Sequence, residues 1–193
     1  MEIIGFYNYT VILTYLSLIS GFLGIIFSIR GNLDFAVICL VFSGVCDMFD
    51  GLVARTKKNR TDDEKNFGIQ IDSLCDVICF GVFPAIYLYC SGLNTPWGIA
   101  ITIFYALCAL IRLAFFNVIE TKRQETENGC AKFYRGLPVT TCAIVFPLAY
   151  LVGLALPENA LLIIHHILPV LMGILFIGDF RVPKVDISKL FRK

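Results

Sequence analysis

Six long apolar stretches, at residues 11–28, 34–54, 67–89, 97–118, 137–156 and 160–177, alternate with short polar segments along the chain. Each has about the 20 residues that an α-helix needs to cross the hydrocarbon core of a bilayer. The breaks between them carry turn-forming or charged residues: Arg30-Gly31-Asn32, the polar run 55–66, Asn94-Thr95-Pro96, the run 120–135 and Pro157-Glu158-Asn159. This pattern predicts an all-α integral membrane protein with six transmembrane helices. Almost nothing is left for a separate soluble domain, so residues 1–193 read as a single membrane-embedded domain.

Composition agrees. Of the 193 residues 58% are hydrophobic and 16% charged, against about 25% charged in soluble domains. With a mean hydropathy of +0.78, a water-soluble globule is excluded. Sixteen Lys and Arg against fifteen Asp and Glu leave a formal charge of +1, which offers nucleic acid no basic surface. The distribution of the basic residues says more than their sum. Arg55, Lys57, Lys58, Arg60 and Lys65 fall between the second and third stretches, Lys122, Arg123, Lys132 and Arg135 between the fourth and fifth, and Arg181, Lys184, Lys189, Arg192 and Lys193 after the sixth. The alternate connections carry only Arg30. The positive-inside rule therefore puts the basic segments and both termini in the cytoplasm, with the chain integral to the cell membrane.

Seven of the eight cysteines (Cys39, Cys46, Cys75, Cys79, Cys90, Cys108 and Cys142) lie inside apolar runs and read as free thiols used as small hydrophobes. His165 and His166 have no companions at metal-ligand spacing and read as packing residues. Residues 1–10 lack a basic segment and a small-residue cleavage site, so no removable signal peptide is expected.

Four carboxylates break the apolar pattern. Asp47 and Asp50 sit near the cytoplasmic end of the second stretch, and Asp72 and Asp76 near the cytoplasmic start of the third. At about 2.5–3.5 kcal/mol for an Asp at a helix centre, the set costs roughly 10 kcal/mol. Spacings of three and four put each pair on one helix face. Asp47, Asp50, Gly51, Ala54 and Arg55 form one stripe and Gly68, Asp72 and Asp76 another, and a cytoplasmic connection makes the two helices antiparallel neighbours. The four carboxylates then converge near the cytoplasmic surface. An all-oxygen set with no His or Cys suits a hard cation, Mg²⁺, Mn²⁺ or Ca²⁺, and two such ions would neutralise four carboxylates in a manner suited to phosphoryl transfer. Two other readings stay open: acids shielded by Arg55, Arg112 and water, or a cation or proton pathway. A pathway would also need polar residues in the outer half of the spans, whereas the four aspartates cluster toward one side.

The segments Asp47-Met-Phe-Asp50-Gly51-Leu-Val-Ala54-Arg55 and Gly68-Ile-Gln-Ile-Asp72-Ser-Leu-Cys-Asp76 resemble the signature of the CDP-alcohol phosphotransferase family at each defining position. The spacer 56–67 has twelve residues where the usual pattern has about eight, and the added polar length predicts a longer turn. Three further segments, 73–85, 112–118 (Arg112-Leu-Ala-Phe-Phe-Asn117-Val) and 133–138 (Phe-Tyr-Arg-Gly136-Leu-Pro), resemble the phosphatidylserine synthases of that family. Phe115 and Ser17 depart from that pattern, which often has Arg and Asn there.

The resemblance implies a six-span, usually homodimeric enzyme that moves a phosphatidyl group from CDP-diacylglycerol to L-serine and releases CMP. It implies that Asp47, Asp50, Asp72 and Asp76 hold two divalent ions, Mn²⁺ or Mg²⁺, and that Asp76 is also the general base for the serine hydroxyl. Gly51, Ala54 and Gly68 would let the CDP-lipid approach the helix backbones, with Arg55 as a phosphate partner; helix packing is the other reading of the small residues. Arg112, inside the fourth span, is expected to face the acidic residues, either binding the serine carboxylate or pairing with an aspartate. Asn117 and Arg135 are further candidates for the serine or lipid-phosphate pocket, and Arg135 equally reads as a positive-inside charge. Glycerol 3-phosphate or an inositol phosphate are the alternative acceptors within the family. Gly21 and Gly24 are small enough to support helix contacts, including those of a dimer.

Overall fold

The structure, a computed structural model, describes residues 5–7, 9–54, 56–57, 61–126 and 133–183. Seven α-helices account for most of them: α1 (Ile12–Ile29), α2 (Leu33–Ala54), α3 (Asp62–Asp76), α4 (Phe83–Cys90), α5 (Pro96–Thr126), α6 (Cys142–Gly153) and α7 (Glu158–Ile177). A π-helical segment, Val77–Val82, joins α3 to α4 in one continuous span, Asp62–Cys90. Five spans are long and apolar enough to cross a bilayer, and the sixth, Val139–Gly153, is shorter. Its 15 residues reach about 22 Å. The sequence pattern had extended this span over 137–156; Pro138 precedes the helix, and Gly153 closes it against Leu161 of α7.

Two other boundaries moved. The spacer after the second span is helical from Asp62 rather than a longer turn. Thr61 and Glu64 form a reciprocal cap, with the Glu64 amide donating to Thr61 Oγ1 and the Thr61 amide to Glu64 Oε2, both at 3.2 Å. Asp62, Asp63 and Glu64 place negative charge on the helix's positive end, and Lys57 Nζ meets Glu64 Oε1 at 2.8 Å. The second revision is a pair of short antiparallel strands, β1 (Phe133–Arg135) and β2 (Arg181–Pro183), in the register Tyr134↔Val182. β1 precedes α6 and β2 follows α7, so their pairing requires the chain to return to the same side after those two helices.

The third span is the centre of the bundle. More than half of its apolar window, 56%, is buried, against 28–33% in the other four long spans. Phe80, Phe83 and Leu88 are enclosed there, packed with Leu40 of α2, Tyr105 of α5, Phe146 of α6 and Phe176 of α7. The π segment has an identifiable cause. In an α-helix the Phe80 carbonyl would accept from residue 84, but Pro84 has no N–H. Tyr105 Oη donates to that carbonyl at 2.8 Å and Cys142 Sγ at 3.6 Å, so α5 and α6 satisfy what the span cannot.

On α1 the inward face is small and polar: Thr14, Ser17, Ser20, Gly21, Gly24 and Ser28 are buried, while Ile12, Leu16, Ile19 and Leu23 face outward. Ser17 and Ser43 donate to each other's backbone carbonyls at 3.2 and 3.0 Å, and Ser20 donates to the Cys39 carbonyl at 2.9 Å. These bonds join α1 to α2. Gly21 lies against Cys79, and a β-carbon on Gly24 would overlap the Phe83 ring, so both glycines serve packing within the chain. At the opposite end of the bundle Tyr150 of α6 donates to Asp34 of α2.

Gly24→Ala is expected to destabilise the protein by about 1–3 kcal/mol, because the enclosed Phe83 ring has nowhere to go. Gly51→Ala, where an added β-carbon meets nothing within 4 Å, is expected to cost nothing. Thermal unfolding of the two variants in detergent compares them directly.

Candidate functional site

Helical spacing puts each aspartate pair on one face of its helix. Asp47 and Asp50 of α2 meet Asp72 of α3 where α1 packs against both helices. One carboxylate oxygen from each of Asp47, Asp50 and Asp72 lies within 4.8 Å of the others. Asp76, one turn further along α3, falls outside that trio of oxygens. Asp50 and Asp76 are only 9% and 8% exposed.

Thr14 of α1 completes the Asp50 side, its Oγ1 donating to Asp50 Oδ2 at 3.3 Å. The turn of α3 between Asp72 and Asp76 is pinned from behind: Cys75 Sγ donates to the Thr14 carbonyl at 3.2 Å, and Ser73 Oγ donates to Asn117 Oδ1 of α5 at 2.6 Å. Asp72 Oδ1 is buried with no hydrogen-bond partner. A buried carboxylate oxygen with an unused lone pair, beside two more carboxylates and no nitrogen or sulfur ligand, fits a hard divalent cation. Four carboxylates this close also need compensating positive charge.

A cleft of about 150 Å³ opens beside the aspartates, lined by Asp50, Gly51, Ala54, Gly68 and Asp72 together with Thr10, Val11, Thr14, Lys65 and Ile69. Three of the small residues read from the sequence thus share one wall with two of the four carboxylates. The open space in front of Gly51 shows that no helix contact requires glycine there. Arg55 lies outside the described residues. Sequence reasoning missed Thr10, Thr14 and Lys65. The signal for Thr14 was the repeat of small and polar residues along α1, which marks its inward face.

Arg112 stands on the face of α5 that meets the end of α7. It is 6% exposed, holds its guanidinium carbon 5.7 Å from the centre of the Phe116 ring, and lines a second cleft of about 260 Å³ with Ile111, Phe115, Phe176, Ile177, Gly178 and Asp179. None of the four aspartates is in that lining. Asn117, five residues on, is about 140° further round α5 and turns toward α3 instead. Arg135 belongs to β1, its backbone paired with Arg181.

The fold and this site define an integral membrane protein with a carboxylate centre at the end of its central span, built of oxygen ligands and open to a cleft. A description of the CDP-alcohol phosphatidyltransferases matches residues 7–175, and the chain belongs to that family of enzymes. It is 34% identical over 176 residues to the archaetidylserine synthase of Methanothermobacter thermautotrophicus, covering 91% of this chain and 69% of that protein. With the CDP-diacylglycerol–serine O-phosphatidyltransferase of Methanocaldococcus jannaschii it shares 33% identity over 92% of this chain and 74% of the relative. With the Saccharomyces cerevisiae protein of the same name it shares 36%, over 72% of this chain and 53% of the relative. The chain therefore spans about half the length of the yeast relative. No solved structure matches it.

The purified protein is expected to bind Mn²⁺, and Asp50→Asn or Asp72→Asn to weaken that binding by about tenfold or more. Asp34→Asn, at the other end of α2, should leave it unchanged. Loss of the free Mn²⁺ signal in electron paramagnetic resonance measures all three.

Proposed function

We propose that the protein transfers the phosphatidyl group of CDP-diacylglycerol to the hydroxyl of L-serine, forming phosphatidylserine and CMP. The observation that carries this reading is the convergence of Asp47, Asp50 and Asp72 beside a cleft whose small residues leave room for a ligand. The names of the relatives support serine as the acceptor.

The donor's cytidine and diphosphate occupy the cleft of Gly51, Ala54 and Gly68, with Arg55 on a phosphate. Asp47, Asp50, Asp72 and Asp76 would hold two divalent cations, Mn²⁺ or Mg²⁺, which when bound would supply positive charge against the diphosphate. Thr14 orients Asp50 through its hydroxyl. A serine hydroxyl is a weak nucleophile at neutral pH, so it needs a carboxylate within hydrogen-bond reach, and that role falls to Asp76. The serine oxygen bonds to the phosphorus that carries diacylglycerol, its proton passes to Asp76, the bond from that phosphorus to the bridging oxygen breaks, and CMP leaves. Arg112 binds the serine carboxylate in two-pronged fashion, with Asn117 and Arg135 contributing to the serine or lipid-phosphate pocket. The Ser73–Asn117 bond links α5, which carries Arg112, to the turn of α3 that carries Asp72 and Asp76.

Polar substrates and acyl chains meet only at a membrane surface. Residues 1–193 accordingly act as one catalytic domain in the cell membrane, with the site and both termini toward the cytoplasm, working as a homodimer. The pairing of β1 with β2 supports the six-span path, and the basic connections support its orientation.

CMP release by the purified protein with CDP-diacylglycerol and Mn²⁺ is expected to require L-serine, and Asp76→Asn to lower it by at least about 10²-fold while donor binding persists. Release only with glycerol 3-phosphate or an inositol phosphate would replace the acceptor. Release only with an ether-linked CDP-lipid would move the donor toward the class that the Methanothermobacter relative's name suggests. Gly51→Leu is expected to raise the KM for CDP-diacylglycerol by about tenfold, equal to about 1.4 kcal/mol, with the KM for serine unchanged; an unchanged donor KM would remove Gly51 from the donor site.

A further inference from the structure

Gly136 sits where three parts of the chain meet. Its φ of +72° lies in the left-handed region that residues with a β-carbon rarely adopt. A β-carbon there would stand 2.8 Å from the Gly178 carbonyl oxygen, 3.0 Å from that of Phe176 and 3.5 Å from Arg112 Nε. Two of these neighbours are backbone, which cannot swing aside as the end of a side chain can.

The same residue is tied by hydrogen bonds. Its amide donates to the Phe180 carbonyl at 2.7 Å, and the next amide, of Leu137, donates to the Leu175 carbonyl at 3.1 Å. One residue earlier β1 ends, its Arg135 paired with Arg181 of β2. The backbone on both sides of Gly136 is thus fastened to the end of α7 and the strand beyond it. That end of α7 forms one wall of the second cleft, through Phe176, Ile177, Gly178 and Asp179, and Arg112 and Phe115 of α5 form the other.

We infer that Gly136 is a positioning residue: its bare backbone lets the end of α7 close against α5 and sets Arg112 in the wall of the second cleft. The inference rests on the acceptor role proposed for Arg112. Nothing in this junction belongs to the lining of the aspartate cleft, so its disturbance reaches acceptor use and spares the donor.

The test is steady-state kinetics of CMP release by the full chain, varying serine and CDP-diacylglycerol separately. Gly136→Ala is expected to raise the KM for serine by about tenfold and to leave that for CDP-diacylglycerol within about twofold. In an Arg112→Lys background the same substitution is expected to add little, because both changes act on one group. Gly178→Ala, whose methyl would meet the Phe180 ring at 3.0 Å and the Ile174 carbonyl at 3.3 Å, disturbs the junction from the other side. It is expected to shift the serine KM in the same direction, and it decides the matter if Gly136→Ala does not fold. Equal shifts of both KM values, a fall in kcat alone, or full multiplication of the effects in the Arg112→Lys background would each overturn the positioning role. If the wild-type chain uses another acceptor, the serine reading fails by itself, and the same comparison made with that acceptor still tests Gly136.

Discussion

Carboxylates in a membrane span must be compensated, and this fold is arranged around that requirement. Four of them lie on two neighbouring helices at spacings that turn them toward each other, with three oxygens inside a 4.8 Å circle. Hydrocarbon offers no water to such a group, so the acidic residues of α2 and α3 must be held toward each other by α1, which packs on both helices, with one end open to whatever cation or substrate balances the charge. Thr14, Cys75 and Ser73 hold the aspartate-bearing turns from α1 and α5. The alignment of the site is therefore shared among four helices.

The packing that maintains this alignment inverts the logic of a soluble core. Lipid is as apolar as leucine, so burial of apolar area does not draw the helices together. Close approach and hydrogen bonding do. Ser17 and Ser43 exchange hydroxyl-to-carbonyl bonds, and Gly21 and Gly24 let α1 lie against Cys79 and Phe83. Pro84 removes one amide from the central span, and Tyr105 and Cys142 answer the freed Phe80 carbonyl. That exchange converts a local defect into contacts with α5 and α6, just beyond the turn bearing Asp76.

Two clefts with different chemistry follow from this arrangement. One is walled by glycine, alanine, threonine, a lysine and carboxylates and suits a phosphate-bearing headgroup; the other is walled by a buried arginine and Asp179 among aromatic and aliphatic side chains. Helix α5 supplies Arg112 to the second, while its Asn117 accepts from Ser73 of α3. A reaction between a lipid-bound diphosphate and a small polar acceptor needs such a division, since each substrate must be held by its own charge before they meet.

The sequence by itself determined the membrane class, the positions of most spans and the placing of each aspartate pair on one helix face. Each of these follows from one-dimensional spacing: about 20 apolar residues per span, and three or four residues between carboxylates on a helix. Tertiary structure decided the rest. It showed Thr14 bonded to Asp50, because a residue 36 positions away becomes a neighbour only through helix pairing. It placed Arg112 in the wall of a cleft shared with the end of α7, because the direction of an isolated charge on a helix depends on which helices pack around it. It joined β1 to β2, two short segments whose pairing leaves no pattern in either alone. It assigned Gly21 and Gly24 to contacts inside the chain and left Gly51 facing open space, a difference of surroundings between residues with the same absent side chain.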